Sequence, residues 1–89
     1  MALIRFTQNI QRHVDCPPAN IDAGTVREAL DAYFEHHARA RGYVVDEHGA
    51  LRRHMAVFLN GHQVRDRATL DDPVRPDDIV DVMQALSGG

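Results

Sequence analysis

The sequence has no lysine and no tryptophan, and only one cysteine among its 89 residues. With Cys16 alone, an intrachain disulfide cannot form and a multi-thiolate metal site within one chain is excluded. Aromatic side chains make up only 6%, too few to lay out the stacking platforms on which single-stranded nucleic acids rest. No apolar run approaches the roughly 20 residues of a membrane span, and residues 1–10 lack the basic start and long apolar stretch of a signal peptide. The expected compartment is the cytoplasm, with no membrane partner. Gly42, Gly49 and Gly61 stand apart at turn positions, so no glycine-rich phosphate cradle is present.

The remaining composition, 44% hydrophobic and 26% charged, is that of an ordinary folded domain. A chain of this size buries roughly 60 to 65% of the surface its unfolded form exposes. One modest core is expected, in a domain over 1–84 followed by a short tail at 85–89; a multi-site enzyme is not. The net charge is −3, and all 10 basic residues are arginine. From Asp71 onward the chain turns acidic, with Asp71, Asp72, Asp77, Asp78 and Asp81 against Arg75 alone. Phosphates need a positive field, so this stretch argues against nucleic acid and predicts a basic protein partner. Arg52-Arg53 and Arg65 with Arg67 could form a basic patch, but Tyr33, Phe34 and Phe58 fall where core or sheet roles claim them.

Hydrophobic periodicity outlines the elements. Leu3-Ile4-Arg5-Phe6-Thr7 alternates at period two, a strand with Ile4 and Phe6 on one face. Residues 13–21 read as a second extended segment, holding Val14 and Ile21, and Pro17-Pro18 confine it to a sheet edge. Thr25 followed by Glu28 is a capping box that starts a helix at Val26. Its apolar stripe is Val26, Leu30, Tyr33, Phe34 and His37 or Ala38, and Gly42 is expected to end it in the left-handed conformation. A turn at 46–49 leads to a strand through Met55, Val57 and Leu59, closed by Asn60-Gly61. Val64 begins a short return, Leu70 and Val74 anchor a loop, and Ile79 to Met83 forms a last strand with Val80 and Val82 inward. The order predicts an α+β domain with one main helix across a mixed sheet, its first and last strands parallel at the centre.

None of the side chains forms an internal reaction centre. His36 and His37 diverge by about 100° on a helix, and no pair has the H-x-x-x-H spacing a metal requires, so no bound metal is expected. His13, His48, His54 and His62 read as exposed. Cys16 precedes two prolines with no helix N-terminus to depress its pKa, and reads as a small residue on a polar edge rather than a nucleophile.

The remaining signal is the end, Gln84-Ala85-Leu86-Ser87-Gly88-Gly89, directly after a well-patterned strand. Five residues beyond Gln84 reach roughly 16 Å when extended, at about 3.3 Å each. Two glycines lack side chains and can enter a channel too narrow for any other residue. The plain alternative is a frayed end.

Taken with the strand order, Thr25-Val26-Arg27-Glu28-Ala29-Leu30, Val57-Phe58-Leu59-Asn60-Gly61, Asp77-Asp78-Ile79-Val80 and this terminus, the chain resembles the ubiquitin-like β-grasp sulfur carriers, the MoaD/ThiS family. The segment Asp46-Glu47-His48-Gly49-Ala50-Leu51-Arg52-Arg53 resembles the cysteine-biosynthesis type of carrier and related stand-alone members more than the shorter thiamine type. Asp77-Asp78 stands where relatives often place Asp-Gly-Asp, which implies a slightly different turn.

The resemblance implies a carrier whose Gly89 carboxylate is adenylated at the expense of ATP by a partner of the ubiquitin-activating type. Sulfur from a persulfide or sulfide donor would then convert it to a thiocarboxylate for delivery to an acceptor enzyme in cysteine, thiamine or molybdenum cofactor biosynthesis. Gly88, Ser87 and Leu86 would thread the partner's channel. No cofactor would be bound, and the chain would be a co-substrate rather than an enzyme. Two neighbouring readings stay open: the small subunit of molybdopterin synthase, and a protein modifier conjugated through Gly89. The absence of lysine forbids lysine-linked chains of this protein in the second case. A third reading is an interaction module with an inert tail.

Overall fold

The computed structural model describes residues 1–84. Strand β1 (Ala2–Phe6) buries Ala2, Ile4 and Phe6 and turns Arg5 to solvent, as its alternation dictates. It pairs in parallel with β5 (Ile79–Gln84), from Leu3 opposite Ile79 to Phe6 opposite Val82. Strand β3 (Met55–Leu59) flanks β5 on the other side, antiparallel, from Met55 opposite Gln84 to Leu59 opposite Val80. The short edge strands β2 (Ala19–Ile21) and β4 (His62–Gln63) complete the order β2-β1-β5-β3-β4. The parallel central pair expected from the two apolar strands is therefore present, and Val80 and Val82 are fully buried.

Between β1 and β2 a four-residue helix, α1 (Gln8–Gln11), drives Ile10 into the core. The periodicity gave no sign of it, because one turn carries too few residues to show a period. Of the extended segment expected over 13–21, only Ala19–Ile21 is strand. The preceding residues fold inward, so Cys16 is 1% exposed rather than on a polar edge. Its neighbour Pro17 accepts a 2.6 Å hydrogen bond from the Tyr33 hydroxyl, which ties this segment to the helix above.

The main helix starts where the capping residues place it. In α2 (Val26–His36) Thr25 Oγ1 accepts from Glu28 N at 3.1 Å, while the Glu28 carboxylate reaches back to Gly24 N at 2.9 Å, one residue before the expected Thr25 amide. The helix does not run on to Gly42. It breaks at His37 (φ −139°, ψ 61°), whose ring stacks on Tyr33 at 4.3 Å, and restarts as α3 (Ala38–Val44), with Gly42 inside it. The apolar spacing itself runs through the break, since Val26, Leu30, Tyr33, His37, Ala40 and Val44 recur at three and four residues. Beyond the break Ala40 and Val44 are buried and Arg41 is exposed.

Two turns require glycine. Gly49 (φ +83°) closes the turn that begins at Asp46, whose carboxylate accepts from His48 N at 2.8 Å and Ala50 N at 3.1 Å. Arg27 lies so close that a Cβ at Gly49 would stand 2.7 Å from its Nη1. Gly61 (φ +86°) follows Asn60 (φ +52°) in the β3–β4 turn and has open space around it. The core gathers the inward faces of the sheet and of α2 and α3 around Ile4, Leu30, Tyr33, Val57 and Val82, with the loop anchors Val64, Leu70 and Val74 sealing its edge.

Candidate functional site

The sequence places the candidate site at the end of β5. The predicted site residues Leu86, Ser87, Gly88 and Gly89 lie outside the described residues, as does the whole tail at 85–89. What is described is the base from which they continue. Gln84 pairs with Met55 on β3, and on the other flank Thr7 N donates to Val82 O at 3.1 Å. The strand is thus held on both sides up to its last described residues.

Two open clefts meet at Gln84. One, of about 270 Å³, is lined by Gly42, Tyr43, Arg52, His54, Met55 and Gln84. The other, of about 330 Å³, is lined by Thr7, Gln8, Asn9, Met83 and Gln84. The first is built by loop hydrogen bonds: Arg52 Nε donates to Gly42 O at 2.6 Å, and Arg67 Nη2 donates to Arg52 O at 2.8 Å. Tyr43 is propped by a stacked His13 ring at 5.6 Å. Tyr43 (37% exposed) and Met83 (39%) are large apolar side chains left open to solvent. Gln84 Oε1 and Thr7 Oγ1 are buried and accept no hydrogen bond among the described residues. Sequence reasoning did not single out Tyr43, Met83 or Gln84, because each reads locally as an ordinary helix-end or strand residue.

Three aspartates of the acidic stretch are engaged in bonds within the chain. Asp81 makes a bidentate pair with Arg5 at 2.7 and 2.9 Å. Asp78 accepts from Arg75 N and Asn60 Nδ2, both at 2.8 Å, and these bonds hold its carboxyl below the usual range. Asp72 is buried and accepts from Arg65 N at 3.2 Å. Only Asp71 and Asp77 remain exposed without a side-chain partner among the described residues. Asp77 lies just before β5 begins, so about 17 Å of strand, at roughly 3.3 Å per residue, separates that end from Gln84.

No other reaction centre takes shape among the described residues. No three His, Cys, Asp or Glu side chains gather in metal-binding range there. Burial, aided by Asp15, pushes the Cys16 thiol up, away from the thiolate a nucleophile needs. No described helix is long and apolar enough to cross a membrane.

A model of the ThiS family matches residues 18–89. Among solved structures, a chain of the Amycolatopsis orientalis BexX/CysO complex is 23% identical, with all of both chains covered and a TM-score of 0.82. SAMP1 from Haloferax volcanii is also 23% identical over 99% of this chain and 98% of its own, with a TM-score of 0.79. Urm1 from Sulfolobus solfataricus is 10% identical over 92% of this chain and 97% of its own, at 0.70. No curated protein sequence matches the chain.

Proposed function

The chain belongs to the ThiS family and has the ubiquitin-like β-grasp fold, and from that premise we propose that it is a sulfur carrier working through the carboxylate of Gly89. The observation that carries this reading is the placement of Gly88-Gly89 as the fourth and fifth residues after the central strand, within the stretch that the family model matches. A carboxylate is a poor electrophile, since attack builds charge on a centre already anionic. A partner of the ubiquitin-activating type would transfer AMP from ATP to Gly89, releasing pyrophosphate. Hydrosulfide, or a persulfide sulfur with a thiol to free it, would then add to the activated carbonyl. AMP departs, and Gly89 is left as a thiocarboxylate.

In this scheme the globule supplies binding energy and orientation while the tail supplies the reacting atom, so the chain is a co-substrate without catalytic groups of its own. Gly88 and Gly89 present no Cβ to the walls of a narrow channel, and Ser87 and Leu86 bridge the distance to the sheet. The neighbour solved as a BexX/CysO complex supports a working partnership with a second protein. The likeness to a small archaeal modifier protein supports the second use of the same end, an isopeptide bond to a target lysine.

The test is the intact mass of the purified chain after incubation with ATP, hydrosulfide and an adenylating enzyme, beside a chain lacking Gly89. The expected result is an oxygen-to-sulfur gain confined to the full-length chain. Equal gain in the truncated chain, or none with an enzyme active on another carrier, refutes the carrier reading; adducts on lysines of added proteins would favour the modifier.

A further inference from the structure

We infer that the enzyme taking up the C-terminal segment docks against the cleft beside Gln84, facing Arg53 and His54 with an acidic rim and seating an apolar side chain between Tyr43 and Met55. This inference rests on the carrier reading and names the surface and partner chemistry that go with it. The chain passes from Gln84 directly into Ala85, so a protein that encloses the residues following β5 is brought against the walls of the clefts that Gln84 lines.

Shape and charge then select what fits. Tyr43, held by His13, and Met55 give the cleft an apolar interior, and the Arg52 guanidinium, fixed to Gly42 O at 2.6 Å, forms a rigid wall. Arg41 shares a second recess with Arg52, and Arg67 reaches the Arg52 carbonyl at 2.8 Å, so guanidinium groups cluster on this side. Exposed Arg53 and His54 extend the cluster along the chain toward β3. Asp46 and Glu47 line the recess that Arg41 shares with Arg52, Asp46 accepting from two backbone amides and Glu47 lying 3.8 Å from His48, so Arg41, Arg52, Arg53 and Arg67 outnumber the acids on this side. The exposed Asp77 stands at the opposite end of β5. The arginine-rich rim beside Gln84 attracts an approaching acidic surface and speeds its encounter.

The test is steady-state loading of the full chain by an adenylating enzyme of the ubiquitin-activating type, with ATP and hydrosulfide, read as KM for the carrier and kcat separately. Arg53→Glu with His54→Glu should raise KM about tenfold and leave kcat within about twofold, because rim charges govern encounter rather than chemistry. Raising salt should weaken the wild-type KM and leave the doubly reversed variant nearly unaffected. Reversal at the far end of β5, Asp77→Arg, should leave KM within about twofold. Thermal midpoints of both variants close to wild type establish that the effects are on docking. An unchanged KM for the Arg53/His54 variant, or an equal rise from the far-end variant, overturns the docking face while leaving the carrier intact. Failure of the wild-type chain itself to load overturns the carrier and the docking face together.

Discussion

Replacing Gly49 with alanine separates two costs that the structure assigns to one position. The first is conformational: φ is +83°, and an L-residue in the left-handed region costs roughly 1–2 kcal/mol. The second is displacement of Arg27, because the new Cβ would stand 2.7 Å from its Nη1. The guanidinium can move, but only by giving up its bonds to Ala68 O at 2.6 Å and Thr69 O at 3.2 Å. Those bonds are exposed, which holds their combined worth to about 1 kcal/mol. Gly61→Ala is the control, since φ is +86° and nothing lies within 4 Å. Gly49→Ala should therefore cost about 2–3 kcal/mol and Gly61→Ala about 1–2 kcal/mol. A difference of about 1 kcal/mol is some 4–8 °C in midpoint for a domain of this size. Urea titrations of both variants, repeated in an Arg27→Ala background, make a double-mutant cycle in which the difference should vanish. A Gly49→Ala cost no larger than that of Gly61→Ala, or an excess that survives removal of Arg27, refutes the reasoning.

Tyr33→Phe keeps the ring between Phe6 and His37 but leaves Pro17 O without its donor, and should lower stability by about 1–2 kcal/mol; a loss below about 0.5 kcal/mol would mean that water replaces the hydroxyl. Burial, reinforced by Cys16 and Asp15, pushes the Tyr33 phenol up, so the folded state holds its proton while the unfolded chain releases it near pH 10. Its contribution is complete below that pH and lost as pH rises above it, a decline that should shrink in Tyr33→Phe when denaturant midpoints are followed from pH 8 to about 11. At the acid end the signs reverse: backbone amides hold the Asp46, Asp66 and Asp78 carboxyls below their ordinary values. Their stabilisation is present above about pH 4 and disappears as pH falls through the folded values, so Asp78→Asn should flatten the midpoint-against-pH curve below pH 4. An unchanged acid limb would show that Asp78 does not contribute to it.

The strands, the start of α2 and the parallel central pair were legible because each rests on a local rule. Alternation marks Ile4 and Phe6, Thr25 and Glu28 mark the cap, and apolar β-branched residues mark a strand buried on its hydrogen-bonding edges by neighbours. The break at His37 was not legible from the helix itself. The spacing of Val26, Leu30, Tyr33, His37, Ala40 and Val44 at three and four residues is that of one continuous stripe, so periodicity carries no mark of the break. Cys16 was misjudged because prolines at 17 and 18 suggested an edge, whereas the bond from Tyr33, 16 residues on, folds the segment inward. Composition likewise counts charges without their partners: Arg5, 76 residues from Asp81, pairs with it across the sheet. The terminal glycines were legible as residues, while the clefts around Gln84 arise from loops and strands that meet only in three dimensions.

The strand that leads into the tail is also the one on which the sheet closes. Until residues 79–84 have been synthesised, β1 and β3 have no shared neighbour, and the inward rows of Ile4 and Val57 have nothing between them. Closing the parallel pair joins segments separated by most of the chain, a slow step in folding. During translation the helices and outer strands wait on the last strand to emerge. A nascent or truncated chain therefore offers no ordered base for its carboxyl end, and the folding of the domain itself inspects the chain before any partner can use it.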